Sequence, residues 1–257
     1  MKLYVHPNYS SLRSFVENLP VTFENEGTTI YKVRNEIKVF KVGDQSLNVK
    51  RYGVPHLFNR IVYTWLRKSK TKRAFENAVR ITELGFDTPA PVAFIECYRH
   101  GLLYHSYFIS SQCPYTRQFK EFADDSPIGE RLSVVEELGQ YVARLHQAGV
   151  YHKDLSNGNI LFETDQAGTH FSLVDLNRMD FCTIGLKKGC QNFNRLRGDD
   201  AFFKRLAASY SRARGYEEDV CLTLIRESQQ KSVRHFRRKS AFKRWRRRLV
   251  RFVRRDA

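Results

Sequence analysis

Residues 151–161 read YHKDLSNGNIL and place Asp154 and Asn159 five positions apart in one short loop. Phosphoryl transfer uses two such groups together, because a carboxylate accepts the proton of the attacking hydroxyl and an amide helps to hold magnesium over the phosphates. The stretch therefore predicts a phosphoryl-transfer site. Asp154 is its expected general base and Asn159 an expected Mg²⁺ ligand.

The loop follows the pattern H-R-D-L-x-x-x-N, the catalytic loop of protein-kinase-like enzymes. The alternative is that Asp154 lies in an ordinary turn without a catalytic role. That alternative does not explain why His152, Asp154 and Asn159 all occur at the spacing of the motif. A second carboxylate, Asp175, follows the apolar β-type run 171–174, sixteen residues beyond Asn159. We expect Asp175 and Asn159 to bind Mg²⁺ together, since this ion takes oxygen ligands and bridges phosphate oxygens.

The patterns on either side of the loop predict an α+β protein-kinase-like fold of two lobes. Alternating residues predict strands, and apolar residues at steps of three and four predict helices. The expected parts are a β-rich, antiparallel N-lobe (1–113), a helical C-lobe (114–230) and a basic amphipathic tail (231–257). Strands are expected at 28–34, 37–42, 46–52, 92–97 and 102–110, and helices at 67–85, 128–148, 199–214 and 217–230.

Two residues of the first half are expected to serve the nucleotide. Lys50, on the third strand, is predicted to contact the α- and β-phosphates of ATP, and Glu76 to hold Lys50 by an ion pair. A Lys on a strand beside a Glu on a helix is also common without any function. No G-x-G-x-x-G loop is present; the first hairpin turn, 33–36, reads VRNE, so the sequence does not show how the phosphates are covered.

Composition indicates a folded protein, with 42% hydrophobic and 13% aromatic residues in 257 positions. No apolar run approaches the roughly 20 residues of a membrane-spanning helix, and the amino terminus lacks a signal-peptide pattern. The five cysteines are odd in number and form no C-x-x-C pair, which argues against a disulfide framework and a zinc site. A reducing, cytoplasmic location is expected.

The basic charge is concentrated in the tail. Residues 231–257 hold 13 Lys or Arg and one Asp, which is +12 of the net +17 and leaves +5 for the rest. Apolar residues recur there at steps of three, four and three: Phe242, Trp245, Leu249 and Phe252. The segment Lys231–Arg255 is therefore expected to lie as a helix on an anionic membrane surface. A solvated helix, or one docked on the protein's own acidic groups, is the alternative.

The chain resembles the lipopolysaccharide kinases, the bacterial family that includes 3-deoxy-D-manno-octulosonic acid (Kdo) kinase and inner-core heptose kinases. The resemblance extends over about 27–216 and is carried by LNVK (47–50), SKTKRAFE (69–76), GFDTPAP (85–91), HKDLSNGNILF (152–162) and VDLNR (174–178). It implies a protein-kinase-like fold that uses ATP and Mg²⁺ to phosphorylate a sugar hydroxyl. It also implies Asp154 as base, Asn159 and Asp175 as metal ligands, and Lys50 as the phosphate-contacting lysine.

Departures from protein kinases favour a glycolipid or small-molecule acceptor. Asp175 is followed by LNR (176–178) rather than F-G, no A-P-E follows, and Ser156 stands where these kinases usually carry Lys. The acceptor expected is the anionic glycolipid Kdo-lipid A precursor, reached by a peripheral enzyme on the inner face of the inner membrane of a Gram-negative bacterium.

Three other functions stay open. An atypical protein kinase would use the same residues. An inactive kinase-fold scaffold is favoured by the absent glycine loop, whereas the set Asp154, Asn159 and Asp175 argues against it. A nucleic-acid binder would use the cationic tail, but few aromatic residues are interleaved for base stacking, so no specific nucleic acid is expected.

Overall fold

The computed structural model describes residues 1–122 and 128–253, without the side chains of 128–130, 235–237 and 239–253. The chain forms two compact units. The first contains Met1–Gln118, His152–Asp154 and Asn159–Asp180; the second contains Phe119–Tyr151, Leu155–Gly158 and the chain from Phe181 onward. No helix in the described ranges is both long and apolar enough to cross a bilayer.

A six-stranded antiparallel sheet forms the body of the first unit. Its strands are β1 (Lys2–Val5), β2 (Thr28–Lys32), β3 (Glu36–Val42), β4 (Gln45–Tyr52), β5 (Pro91–Arg99) and β6 (Leu102–Ser111). They lie in the order β1-β5-β6-β4-β3-β2. The predicted meander over β2, β3 and β4 is confirmed, with Gly43 supplying the positive φ of 57° in the β3–β4 turn.

Helix α1 (Arg13–Thr22) packs on this sheet and is tied to it by a buried lysine. Lys38 Nζ donates to the carbonyl oxygens of Phe23 at 2.5 Å and Glu26 at 3.0 Å, just beyond the helix. Carbonyls at a helix end have no partner within the helix, so the lysine satisfies them. The core beneath is formed by Leu12, Val16, Leu19, Phe23, Phe40, Leu47, Val49, Val92, Ala93, Ile95, Tyr107 and Ile109.

Between β4 and β5 the chain forms α2 (Leu57–Ile61), a π-helical turn (Val62–Leu66) and α3 (Lys70–Glu83). The predicted helix over 67–85 thus begins at Lys70, because the Ser69 hydroxyl accepts the Lys72 N–H at 3.1 Å and caps the helix. Five buried residues of α3 share one stripe: Thr71, Ala74, Phe75, Ala78 and Ile81. This stripe packs α3 against β5 and β6.

Two smaller sheets are formed by short strands before and after the predicted catalytic loop. One has the order β10-β9-β7, from β7 (Arg117–Gln118), β9 (Ile160–Asp165) and β10 (Gly168–Leu173); the other pairs β8 (Val150–His152) with β11 (Met179–Phe181). The Leu173 N–H donates to the Asp87 carbonyl at 3.1 Å, and the Thr88 hydroxyl donates to the Leu173 carbonyl at 2.7 Å. The end of β10 is thereby fixed within the first unit.

The second unit is helical. Its helices are α4 (Ile128–Gln147), α5 (Leu186–Gln191), α6 (Asp200–Arg214) and α7 (Glu218–Val253). Helices α4 and α6 approach closely at Gly139, where an added Cβ would lie 2.9 Å from that of Ser209. Buried His146 also joins them, with Nδ1 2.9 Å from the Tyr210 hydroxyl, while its Nε2 lies 3.0 Å from Asn192 Oδ1.

An antiparallel sheet in the first unit and helices in the second confirm the predicted α+β class. The expected helix over 217–230 does not stop there, since α7 continues to Val253 as one backbone helix. The side chains on which the predicted membrane contact of the tail depends lie outside the described residues: Phe242, Trp245, Leu249 and Phe252.

Candidate active site

The predicted catalytic loop leaves β8 at His152, which fixes its start. The Asp154 N–H donates to His152 Nδ1 at 3.1 Å, and His152 Nε2 lies 3.1 Å from the Val174 carbonyl. Burial lowers the pKa of His152, although the Val174 carbonyl opposes that shift. A neutral ring that accepts at Nδ1 and donates at Nε2 fits both contacts, so His152 orients the loop and is not a proton carrier.

Asp154 lies directly after this histidine. Its Oδ2 is 3.3 Å from Arg178 Nη1, and its side chain is 17% exposed. The guanidinium places positive charge beside the carboxylate, and part of the side chain is exposed to solvent. The geometry suits a general base, which must lie within hydrogen-bond reach of the proton that it takes.

Asn159 joins the catalytic loop to the strand that leads to Asp175. Its Nδ2 donates to the Asp154 carbonyl at 2.8 Å, and its own carbonyl accepts the Val174 N–H at 3.0 Å. Because the amide nitrogen faces the loop, the amide oxygen is the end left to act as a ligand. Asn159 is thus held by one side-chain and one backbone hydrogen bond, the second of them to Val174, the residue before Asp175.

The backbone of Asp175 adopts the left-handed conformation, with φ of 60°. Asp is among the few residues that visit this region, at a cost of roughly 1 kcal/mol. The conformation follows the end of β10 at Leu173 by two residues. It directs the carboxylate toward Lys50, whose Nζ lies 2.6 Å from Asp175 Oδ1, and toward Asn177, whose Nδ2 donates to the same oxygen at 2.5 Å.

Partial burial raises the pKa of the Asp175 carboxyl, but the charge of Lys50 and the hydrogen bonds from Lys50 and Asn177 outweigh it. The net pKa lies below its ordinary value, so the group is a carboxylate at neutral pH. Lys50 is itself mostly buried, with 13% of its side chain exposed, and its ammonium lies 5.3 Å from the ring centre of Tyr52. The structure therefore brings four of the predicted site residues into one unit: Lys50, Asp154, Asn159 and Asp175.

The predicted ion pair between Lys50 and Glu76 is not formed. Glu76 Oε1 and Oε2 lie 3.0 and 2.9 Å from Lys68 Nζ. The reason is helical phase: adjacent residues are about 100° apart on a helix, and it is Asn77 that faces the turn after Asp175. Its Nδ2 donates to the Leu176 carbonyl at 2.6 Å.

The face of α3 toward this turn is cationic, a feature that the kinase-type motifs do not indicate. Arg73 Nη1 donates to the Asn177 carbonyl at 3.0 Å. Half-buried Lys70 lies one turn earlier, and burial lowers its pKa, followed by the nearby charges of Arg34 and Arg73. Lys70, Arg73 and Asn77 recur at steps of three and four, and that stripe is the signal that could have identified them.

The turn between β2 and β3 is held down by a close approach at Gly53. A Cβ at Gly53 would lie 2.4 Å from the Arg34 carbonyl oxygen, and the Gly53 N–H donates to Asn35 Oδ1 at 3.3 Å. Only glycine tolerates that approach. The β2–β3 turn, which occupies the first hairpin in place of a G-x-G-x-x-G sequence, therefore has a fixed position within the first unit.

The donors present suit Mg²⁺. The candidate ligands are the Asp175 carboxylate and the Asn159 amide oxygen; no group of three or more His, Cys, Asp or Glu that could hold a metal occurs in the described ranges. Mg²⁺ is usually held by one or two protein groups together with phosphate oxygens. Lys50 and Asn177 contact Asp175 through Oδ1, so Oδ2 can serve as the metal ligand.

Comparison with known proteins gives consistent matches. Residues 25–209 match the family profile described as "Lipopolysaccharide kinase (Kdo/WaaP) family". Among curated proteins, the chain is similar to a 3-deoxy-D-manno-octulosonic acid kinase of Xanthomonas campestris pv. campestris, with 31% identity over 130 residues, 50% of each chain. A kinase of the same name from Xanthomonas oryzae pv. oryzae is 29% identical over 182 residues, 65% of this chain and 71% of the relative. The chain thus spans about half the length of several curated relatives that it matches.

Among solved structures, the chain resembles "WaaP in complex with acyl carrier protein" with a TM-score of 0.63 and 18% identity. The match covers 91% of this chain and 99% of the other. At this identity the likeness concerns the fold, and it confirms the predicted protein-kinase-like class.

Proposed function

The chain belongs to the lipopolysaccharide kinase (Kdo/WaaP) family, and on that premise we propose that it transfers the γ-phosphate of ATP to a sugar hydroxyl of the lipopolysaccharide inner core. The acceptor we propose is Kdo on a lipid A precursor. The observation that carries the proposal is the pairing of Lys50 with Asp175 in the unit that also holds Asp154 and Asn159.

In the proposed reaction Asp154 accepts the proton of the acceptor hydroxyl as its oxygen bonds to the γ-phosphorus. The bond between that phosphorus and the β–γ bridging oxygen breaks, and ADP leaves with its electron pair. Arg178 keeps positive charge beside Asp154 during this step. The products are the phosphorylated sugar, ADP and a proton on Asp154.

Binding of the nucleotide is assigned to cations of the first unit. Lys50 would contact the α- and β-phosphates, and Lys70 adds a second ammonium on the side of α3. Asp175 and Asn159 would hold Mg²⁺, which neutralises charge on the β- and γ-phosphates. The role of Glu76 in nucleotide binding has less support, because Glu76 pairs with Lys68.

A peripheral position on the inner face of the inner membrane is part of the proposal. It is supported by the anionic, membrane-embedded nature of the acceptor and by the +12 charge of residues 231–257. Acyl carrier protein, the partner in the related solved complex, is a candidate partner that a pull-down with the purified protein would test.

The test is transfer of labelled γ-phosphate from Mg-ATP to purified Kdo-lipid A, with the Asp154→Ala variant alongside. Label in the lipid that disappears in the variant supports the proposal. Transfer to a heptose-containing acceptor or to a protein, but not to Kdo-lipid A, contradicts the named acceptor. Absence of both transfer and ATP binding would instead support a scaffold.

A further inference from the structure

An exposed apolar surface lies on the segment between β4 and α3. Five large side chains are 38–79% exposed there, and we call them the 57–66 surface: Leu57, Phe58, Ile61, Trp65 and Leu66. The first four recur at positions i, i+1, i+4 and i+8, which is the spacing of one helical face. Such a face normally packs on a core, so its exposure points to an occupant.

The other side of the segment is anchored by polar contacts. Arg60 Nε donates to the Leu103 carbonyl at 2.9 Å, and its Nη2 donates to the Arg99 carbonyl at 3.3 Å. The Leu103 N–H donates to Thr64 Oγ1 at 3.0 Å. The segment is therefore fixed on the β5–β6 hairpin through Arg60 and Thr64, and its apolar face is directed away from that hairpin.

The surrounding sequence is purely cationic. Residues 45–75 contain eight Lys or Arg and no Asp or Glu. Arg67 and Lys68 follow Leu66 directly and are both exposed, although Lys68 also pairs with Glu76. An apolar face bordered by cations complements the interface of an anionic bilayer, where tryptophan is also favoured.

We propose that the 57–66 surface inserts into the interfacial region of an anionic phospholipid bilayer and holds the first unit at the membrane. Four of the five side chains are more than 60% exposed, and a fluid interface accepts exposed side chains without a matching pocket. This inference rests on the proposed function in one respect, namely that the proposed acceptor lies in a membrane. It concerns a different segment from the basic tail.

The chain offers its own probe, because Trp65 and Trp245 are its two tryptophans. In the full-length Trp245→Phe variant, Trp65 fluorescence should shift to the blue with phosphatidylglycerol-containing vesicles and much less with phosphatidylcholine vesicles. Bromine-labelled lipids should quench it. Unchanged Trp65 emission would overturn the proposal, and so would a shift confined to Trp245 in the Trp65→Phe variant.

A binding measurement with a matched control completes the test. The Phe58→Ser/Trp65→Ser variant should partition into anionic vesicles at least about tenfold more weakly, since each large apolar side chain contributes to burial in the interface. Val21→Ser removes a side chain of similar exposure elsewhere in the first unit and should bind like the parent. Equal binding of all three proteins, or a Trp65 response to acyl carrier protein but not to vesicles, would refute the inference. The vesicles hold neither acceptor nor ATP, so vesicle binding is measured independently of phosphoryl transfer. A protein that binds the vesicles but does not label Kdo-lipid A in the separate transfer assay would contradict the proposed function and leave this inference intact.

Discussion

Lys50 Nζ and Asp175 Oδ1 lie 2.6 Å apart although 125 residues of chain separate them. The two side chains are 13% and 28% exposed, so each charge is shielded from water and depends on the other. One contact thereby fixes β4 relative to the turn after β10 and places the predicted phosphate-binding residue beside the predicted metal ligand.

Replacement of Lys50 by Met should weaken both stability and nucleotide binding. Loss of a hydrogen bond to a charged, partly buried group should lower the free energy of unfolding by about 1.5–3 kcal/mol. The KM for ATP should rise as well. Urea unfolding and ATP titration measure the two effects, with Lys50→Arg as the control that retains the charge. A Lys50→Met protein with parental ATP affinity would exclude Lys50 from the phosphate site.

Replacement of Asp154 by Ala should remove the general base and leave the fold intact. Turnover should fall by about 10²- to 10⁴-fold, the usual contribution of general base catalysis. Binding of ATP should change little, because Asp154 pairs with Arg178, whereas Lys50, the predicted phosphate-binding residue, pairs with Asp175. Single-turnover kinetics and ATP titration separate the two effects. A variant with normal turnover would show that Asp154 is not the base.

Two neighbours on α3 should behave differently in nucleotide binding. Lys70→Ala removes a half-buried cation close to Asp175 and should raise the KM for ATP, whereas Glu76→Ala breaks only a pair with Lys68 and should leave it within about twofold. Both variants keep a good helix former in place. A larger rise in the KM for ATP in Glu76→Ala than in Lys70→Ala would show that Glu76 belongs to the nucleotide site.

His146 should make stability depend on pH. Burial lowers its pKa to about 4, with the charges of Arg214 and Lys188 acting in the same direction against the Asn192 contact. The unfolded chain, with a pKa near 6.5, binds the proton first as pH falls. Above about pH 6.5 His146 therefore does not reduce the free energy of unfolding. As the pH falls toward 4, its titration should lower that free energy by about 3 kcal/mol.

Urea unfolding at several pH values between 7.5 and 4.5 measures this decline. The His146→Gln variant should show a shallower slope, because its side chain does not titrate, and His152 contributes equally to both proteins. Parallel slopes for parent and variant would contradict the assignment.

Local patterns predicted most of the first unit and the loop around Asp154. The β2–β4 meander, α3 and the Asp154–Asn159 spacing each depend on residues close in sequence, so periodicity and motif were sufficient. Strand β1 was missed because it is four residues long and pairs with β5, about 90 residues away. A lone short strand has no local signal that separates it from a loop.

The partner of Glu76 and the exposure of the 57–66 surface could not be predicted from the sequence. The helical phase of α3 depends on which stripe meets the sheet, so the motif could not distinguish Glu76 from its neighbours. Apolar residues such as Phe58 and Trp65 resemble core residues in sequence, and their exposure is apparent only in the folded protein, where Arg60 and Thr64 anchor the segment.

The return of residues 152–154 and 159–180 to the first unit has a consequence for synthesis on the ribosome. Residues 1–118 can form their sheet early, but Lys50 has no Asp175 until another 57 residues have been made. At about 5–20 residues per second this delay is several seconds. During that time Lys50 lacks the carboxylate with which it pairs in the finished protein, so the predicted phosphate-binding lysine is made several seconds before the predicted metal ligand.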